Sequence, residues 1–395
     1  MLDSVLNNIQ GDKNMVYFDN AATSFPKPDI VYNEVLKCMK EYCANPGRGG
    51  HQMSINSGKA VVEAREVISN FFNMNNPMQV CFTKNATEGL NYALYGLLED
   101  GDNVITSPME HNSVMRPLKT ICQHKEVSIT ILKGNKYGEI GVDEFAEAIK
   151  PNTKLVVLTL SSNVNGIIMP FKEIGRICRQ KGILFLLDGS QGAGSINIDV
   201  QEAAIDLLAL PGHKGLMGPQ GTGILYVREG IGLKPMLQGG TGSNSENILQ
   251  PEIFPDAMES GTLNTPGIVG LGAGIKFISG TGIEKIREHK NMLVESFYNG
   301  VKNIQGIKIY SKNELSKNSG IIALNVDGME STEVSYILDK KYGIETRAGL
   351  HCAPMAHTTL GTLKTGVVRF SFSYFNQFKE IEYTVSALEK ISKGN

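Results

Sequence analysis

Two runs, Lys154-Leu-Val-Val-Leu-Thr-Leu160 and Ile183-Leu-Phe-Leu-Leu-Asp188, decide the fold class: each is continuously apolar over a strand's length and each ends at turn-forming residues. A strand apolar on both sides of its pleat has both faces covered, the condition of a mainly parallel sheet flanked by helices. Comparable runs stand at Gln79–Lys84, Asn103–Ser107, Val127–Leu132, Asp206–Leu210 and Gly223–Val227. Helical stretches separate them; Leu90, Ala93, Leu94 and Leu97, at helical spacing, predict a helix from near Thr87. Residues 79–227 therefore read as an α/β domain.

The character changes after a Gly-rich stretch around Gly261–Gly282. Ile286, Leu293, Phe297, Val301 and Ile304 make one apolar face of a long helix stopping near Gly306. Strands are expected at Gly320–Val326 and Gly366–Tyr374, and helices near Thr332–Lys341 and from about Gln377, with Phe378, Ile381, Val385 and Leu388 on one side. The expected division is an N-terminal segment 1–20 packing on the small domain, a large α/β domain over 21–262, and a small α+β domain over 263–395 that carries the Cys352 loop.

The chain has 395 residues, with 38 Lys and Arg against 40 Asp and Glu and a formal charge of -2. It has no basic block to neutralise a phosphate backbone, so nucleic acid is not an expected partner and small solutes are. The longest apolar runs are strand-sized, so no membrane partner is expected. The opening MLDSVLNNIQGDKN lacks a positive region followed by an apolar one, which points to a cytoplasmic address. The six cysteines, Cys38, Cys43, Cys81, Cys122, Cys178 and Cys352, include no C-x-x-C pair, so no metal site is expected. The 43 glycines are spread between periodic segments, as tight turns and close backbone approaches require, and no internal repeat is present.

Chemistry concentrates where strands end. In Leu208–Val227, LALPGHKGLMGPQGTGILYV, a strand runs into a turn bearing His213 and Lys214, crowded by Pro211, Gly212, Gly215 and Gly218. An arbitrary lysine there is a solvated loop charge; one on rigid backbone open to close approach can form a Schiff base with an aldehyde cofactor. Asp188 closes a buried strand, where open α/β sheets bind ligands, and is either a turn-capping residue or an acidic partner for a pyridine nitrogen. The strand-to-helix junction at Lys84–Gly89 offers a helix N-terminus with Thr87 as an added donor, a phosphate cradle or a plain N-cap. His111 follows another strand and is either structural or able to stack on a flat ring and shuttle protons. Cys352 lies in a Gly/Pro-bounded loop near Arg347, a cation that favours the reactive thiolate; the alternative is a quiet loop thiol. In Gly366–Phe375, Phe370, Phe372 and Tyr374 alternate with Arg369, Ser371 and Ser373, so Arg369 can face a polar cleft and fork onto a carboxylate, or form a surface ion pair.

Together and in this order, YFDNAATS from Tyr17, GRGGH, TEGLN, MEHN, SSNVNG, DGSQ, GHK, GTLNTPG, RAGLHC and VRFSFSYFN resemble the class V aminotransferase group of fold-type I pyridoxal phosphate (PLP) enzymes. Within it they resemble the cysteine desulfurase and selenocysteine lyase family, over almost the whole chain. The resemblance implies PLP as cofactor, Lys214 as its Schiff-base lysine, Asp188 at the pyridine nitrogen and Gln191 as donor to the ring hydroxyl. It implies His111 stacked on the ring and Ala86, Thr87 and His213 at the phosphate. Thr262 would reach the phosphate of a neighbouring subunit, making the homodimer the active form. Asn163, Arg347 and Arg369 would line the substrate carboxylate site, His51 would border the pocket, and Cys352 would be the sulfur-accepting nucleophile on a brief, ordered loop. Pro211 departs from the family, many of whose members have a serine there, and Thr358–Thr365 matches no family pattern.

The implied reaction converts L-cysteine to L-alanine, with Cys352 holding the sulfur as a persulfide for a protein acceptor, as in iron–sulfur cluster assembly. L-selenocysteine lysis and transamination on the same scaffold are the alternatives within the class. A silent sulfur-carrier scaffold is the alternative outside it, one with no need of Lys214, Asp188 or a phosphate cradle.

Overall fold

The computed structural model describes residues 15–47, 49–243 and 246–394. Seven strands form the large sheet, in spatial order Val80–Thr83, Gly223–Val227, Leu207–Pro211, Leu184–Asp188, Thr153–Thr159, Asn103–Thr106 and Ser128–Ile131. Only Gly223–Val227 runs against the others. Each expected run of the α/β domain is one of these strands, within a residue or two at either end. The apolar runs divide by parity: Val156 and Leu158 enter one core cluster, Leu155 and Val157 another. The sheet is thus buried on both faces, as continuous apolarity requires.

A smaller four-stranded antiparallel sheet follows the order Arg347–Gly349, Val367–Ser371, Ile321–Val326 and Ile307–Ile309. Its core gathers Phe297 from the helix Ile283–Val301, Leu338 from Ser331–Tyr342, Leu388 from Phe378–Ser392, and Phe370 and Phe372 from the strand and its end. The N-terminal chain joins it: Val16–Tyr17 pairs in parallel with Ile344–Glu345, and Phe18 packs edge-on to Phe372 with centroids 5.1 Å apart. Residues 1–14 of the expected N-terminal segment lie outside the described residues.

Three local expectations change. The Gly-rich stretch is largely helix, Thr265–Thr281, with Asn264 as N-cap. Its glycines let other chain segments come close: a Cβ on Gly274 would stand 2.4 Å from the carbonyl oxygen of Leu216, and one on Gly270 2.6 Å from Val35. This helix packs on Asp29–Glu41 and Gln52–Phe71, and Ile268, Leu271 and Ile275 belong to the larger core, beyond the expected boundary at residue 262. The strand expected to reach Tyr374 ends at Ser371. Past that end the alternation fails, and Tyr374 turns toward Phe277 and His289.

Phe370 is fully buried, with its ring centroid 4.8 Å from that of Phe297. Phe370→Ala is expected to cost about 3–5 kcal/mol through lost burial and an unfilled cavity, measured as the shift in denaturant unfolding free energy.

Candidate active site

The parallel strands end in line. Register pairs Thr159 with Asp188 and Asp188 with Ala209, so the residues beyond these strands collect at one edge of the sheet. There Asn85, Ala86, Thr87, His111, Ser113, Thr159, Asn163, Asp188, Ser190, Gln191, Pro211, His213 and Lys214 line one pocket. Such an edge is where open α/β sheets bind ligands.

Asp188 is buried, and its Oδ1 accepts from Ser190 N at 2.9 Å. Lys214 faces it across the pocket; burial draws the lysine pKa down to about 8 although Asp188 pulls the other way. The main chain at this lysine is pinned, since Ser24 Oγ donates to Lys214 O at 2.8 Å. Gly215 is required by close approach: a Cβ there would lie 2.0 Å from the carbonyl oxygen of Ala193.

The helix Ala86–Leu97 opens the pocket's other wall, and its N-cap is Asn85, whose side chain accepts from Glu88 N at 2.9 Å. Thr87 lies inside the first turn, which corrects the reading of Thr87 as the cap and leaves its hydroxyl free of that duty. His111 is the N-cap of Asn112–His124: Ser113 N donates to its Nδ1 at 3.0 Å. Because Nδ1 accepts, the neutral ring carries its proton on Nε2. Burial lowers the His111 pKa to about 4, as it does for His213. Directly behind His111, Glu110 is fully buried; Ser107 Oγ and Thr159 N donate to Oε1 at 2.5 and 2.9 Å, and burial raises its pKa to about 8.

The small lobe supplies the rim. Arg369 is 1 % exposed and is paired with Asp19 at 2.6 Å, while its Nη1 donates to Asn163 O at 3.0 Å. It is neither a surface ion pair nor a free fork: Asp19 and Asn163 hold it at the junction of the lobes. The Cys352 turn is docked from both sides. Asn112 N donates to Cys352 O at 2.8 Å, Asn163 Nδ2 donates to His351 O at 2.7 Å, and Arg347 Nη2 lies 3.8 Å from Cys352 Sγ. The thiol itself is exposed. Gln191 is buried, and its Nε2 donates to Ala21 O at 2.9 Å.

One expected site residue is elsewhere: His51 is exposed, N-caps Gln52–Phe71 and is not among the residues lining this chain's pocket. Thr262, expected at the phosphate of a neighbouring subunit and not in its own pocket, is also exposed. The sequence reading did not single out Asn85, Ser113, Thr159, Ser190, Glu110 or Asp19. The signals for Asn85 and Ser113 were present, an Asn three residues before Glu88 and a Ser two after His111. Glu110 and Asp19 become informative only once burial is known. Among the described residues no group of three or more potential ligands could hold a metal ion, and no helix is long and apolar enough to cross a membrane.

A fold-type I α/β architecture with a strand-end lysine, a buried aspartate and a capped helix N-terminus defines the class, and residues 16–384 match the family model described as Aminotransferase class-V. The chain belongs to that family. It is 36% identical over 383 residues to a protein of Methanothermobacter thermautotrophicus described as a probable cysteine desulfurase, covering 95% of this chain and 94% of that protein. A Pyrococcus abyssi protein of the same description is 33% identical, covering 99% and 98%. Among solved structures, the apo cysteine desulfurase of Thermococcus onnurineus superposes with a TM-score of 0.91 at 32% identity, covering 96% of this chain and 95% of that one. Within the class, the chain falls among the cysteine desulfurases.

Buried neutral histidines make the fold acid-sensitive. His111, His213 and His351 have folded pKa values of about 4, 4 and 2, below the ordinary 6.5, so below about pH 6.5 the unfolded chain binds more protons. Their stabilisation is complete above that pH and is lost as it falls. Glu110, protonated when folded up to about pH 8, acts in the opposite sense and offsets one of them. From pH 7 to 5 the denaturant unfolding free energy is expected to fall, by at most about 1.4 kcal/mol per pH unit for each uncompensated histidine.

Proposed function

We propose that this chain is a PLP-dependent cysteine desulfurase that converts L-cysteine to L-alanine, keeps the sulfur on Cys352 as a persulfide and passes it to a protein acceptor. The observation that carries the reading is the docking of Cys352 on the pocket rim, against Asn112, beside Arg347 and linked through His351 and Asn163 to Arg369. Transamination has no use for a thiol held there.

The pocket fits the cofactor. His213 Nδ1 and Asn163 Oδ1 are buried without a partner among the described residues, Asn85–Thr87 present helix N-terminal amides to an anion, and Asp188 is the one carboxylate among the lining residues. Ala86, Thr87 and His213 would hold the phosphate, Asp188 the pyridine nitrogen, Gln191 the ring hydroxyl, and His111 would face the ring. Ser190 also lines this wall and supplies a hydroxyl where Pro211 has none. Bound there, PLP supplies an electron sink for the electrons of the substrate Cα–H bond.

The chain's own groups do the rest. Arg347 and Asn163, with the Arg369 Nε that has no partner among the described residues, would hold the substrate carboxylate. Lys214, with a pKa of about 8, can both take the Cα proton and return one. Cys352 then attacks the substrate sulfur: its S–S bond forms as the substrate C–S bond breaks, leaving alanine and a persulfide, with no external oxidant.

The active form is a homodimer. Thr262 and His51, exposed here, would serve the partner's site. Exposed Tyr32, Leu36 and Met39 on one helix and Met53, Ile55 and Val62 on the next supply an apolar surface for the second copy. The six free cysteines accord with a reducing cytoplasm, and iron–sulfur cluster assembly is a fitting destination for the sulfur.

Pure protein with PLP and L-cysteine should release alanine and load Cys352 with one extra sulfur by mass. Cys352→Ser should still change the cofactor spectrum on adding cysteine yet make little alanine; unimpaired alanine would overturn the reading. Neither Lys214→Ala nor, at limiting PLP, Thr262→Val should be fully active alone. Mixed and reassembled, each hybrid holds one intact site, so about a quarter of wild-type activity should return. Absence of any recovery would argue for self-contained sites.

A further inference from the structure

His351 and Cys352 both adopt left-handed backbone, with φ of 51° and 56°. Two consecutive non-glycine residues in that region cost free energy unless the surroundings over-determine them. Asn163 and Asn112 hold the two carbonyls, and a third restraint lies beneath the turn. His351 is buried and its Nε2 stands 3.1 Å from Arg347 O. Its Nδ1 is 3.5 Å from Nε2 of the fully buried His357, whose Nδ1 is 2.8 Å from Thr362 Oγ1. The two rings are parallel within 9° with centroids 5.7 Å apart. That separation is the N–N distance plus about one ring radius on each side, so the rings lie edge to edge in one plane, as an N–H···N bond requires.

The direction of the chain follows from one fact: a carbonyl only accepts. His351 Nε2 must therefore donate to Arg347 O, leaving its Nδ1 to accept from His357 Nε2–H, and His357 Nδ1 to accept from the Thr362 hydroxyl. Both rings are neutral, in keeping with burial lowering both pKa values. Protonating either would set N–H against N–H or leave a hydroxyl without its acceptor. The segment responsible, from the helix Pro354–Leu360 to Thr362, overlaps the stretch Thr358–Thr365 that matched no family pattern.

We propose that Thr362 and His357 are positioning residues for sulfur transfer: through His351 they form a hydrogen-bonded strut that holds the Cys352 turn in its left-handed form, with Sγ beside Arg347 at the pocket rim. The strut's own side chains touch neither substrate nor cofactor and act through the Cys352 turn, so their main effect falls on the transfer step. This rests on Cys352 being the sulfur acceptor.

The test compares Thr362→Val, which removes the hydroxyl, with Thr362→Ser, which keeps it, and adds His357→Phe. With PLP-loaded protein and L-cysteine, Thr362→Val should show the wild-type spectral change on mixing but a rate of persulfide and alanine formation lower by roughly tenfold or more; Thr362→Ser should restore it. Independently of activity, hydrogen exchange in the peptide spanning residues 350–362 should be faster in Thr362→Val and normal in Thr362→Ser. Should His357→Phe fail to fold, the threonine pair decides alone. Unchanged exchange with unchanged transfer in Thr362→Val would overturn the strut, as would equal losses of capture and transfer, the mark of a merely structural role. If the wild-type protein makes no alanine, the desulfurase reading fails, and the exchange measurement still decides whether the strut exists.

Discussion

The register of three parallel strands governs the rest. Thr159 stands beside Asp188 and Asp188 beside Ala209, so side chains far apart in the sequence reach the same edge of the sheet at the same height. A slip of one residue in any strand would reverse its inward and outward faces and take Asp188 out of the pocket. That slip is opposed by both cores at once, because successive residues such as Leu155 and Val156 are committed to opposite faces. The catalytic edge is stable because the sheet behind it has no face that tolerates a shift.

A second constraint joins the lobes. Arg369 belongs to the small sheet, Asp19 to the N-terminal chain and Asn163 to the loop after a central strand of the large sheet, and one buried guanidinium holds all three. A buried cation is tolerated only when it is paired and hydrogen-bonded, and here Asp19 and Asn163 meet the two terminal nitrogens while Nε has no partner among the described residues. The pair therefore gives the junction its specificity, and through Asn163 it also sets the height of the Cys352 turn.

Lys214 and His111 sit in the same pocket with pKa values moved by burial in the same direction, so both lean toward the neutral form. The lysine lands near neutrality, where a group can exchange protons in both directions; the histidine stays uncharged and leaves Asp188 as the local anion. Glu110 does not compete for that role, because its own burial keeps it protonated when its neighbour Asp188 is already in place. The division of labour among these groups comes from depth in the protein, not from their chemical identity.

How much of this was legible in the sequence depends on the range of the interaction. Strands such as Ile183–Asp188, Lys214 on its crowded turn, and the alternation that aims Arg369 inward are recorded in neighbouring residues, because hydrophobic period and turn chemistry act over a few positions. The motif order carried the family for the same reason. The glycine-rich Thr265–Thr281 helix was not legible, since its glycines answer to segments such as Leu216 and Val35 that lie far off in sequence. Nor were the Asp19 partner of Arg369, the burial of Glu110, or the strut from Thr362 to His351. The sequence by itself determined the sheet, its strands and the residues able to do chemistry; which of them meet, and in what charge state, was decided only by tertiary packing, because burial and long-range pairing do not exist until the chain has closed on itself.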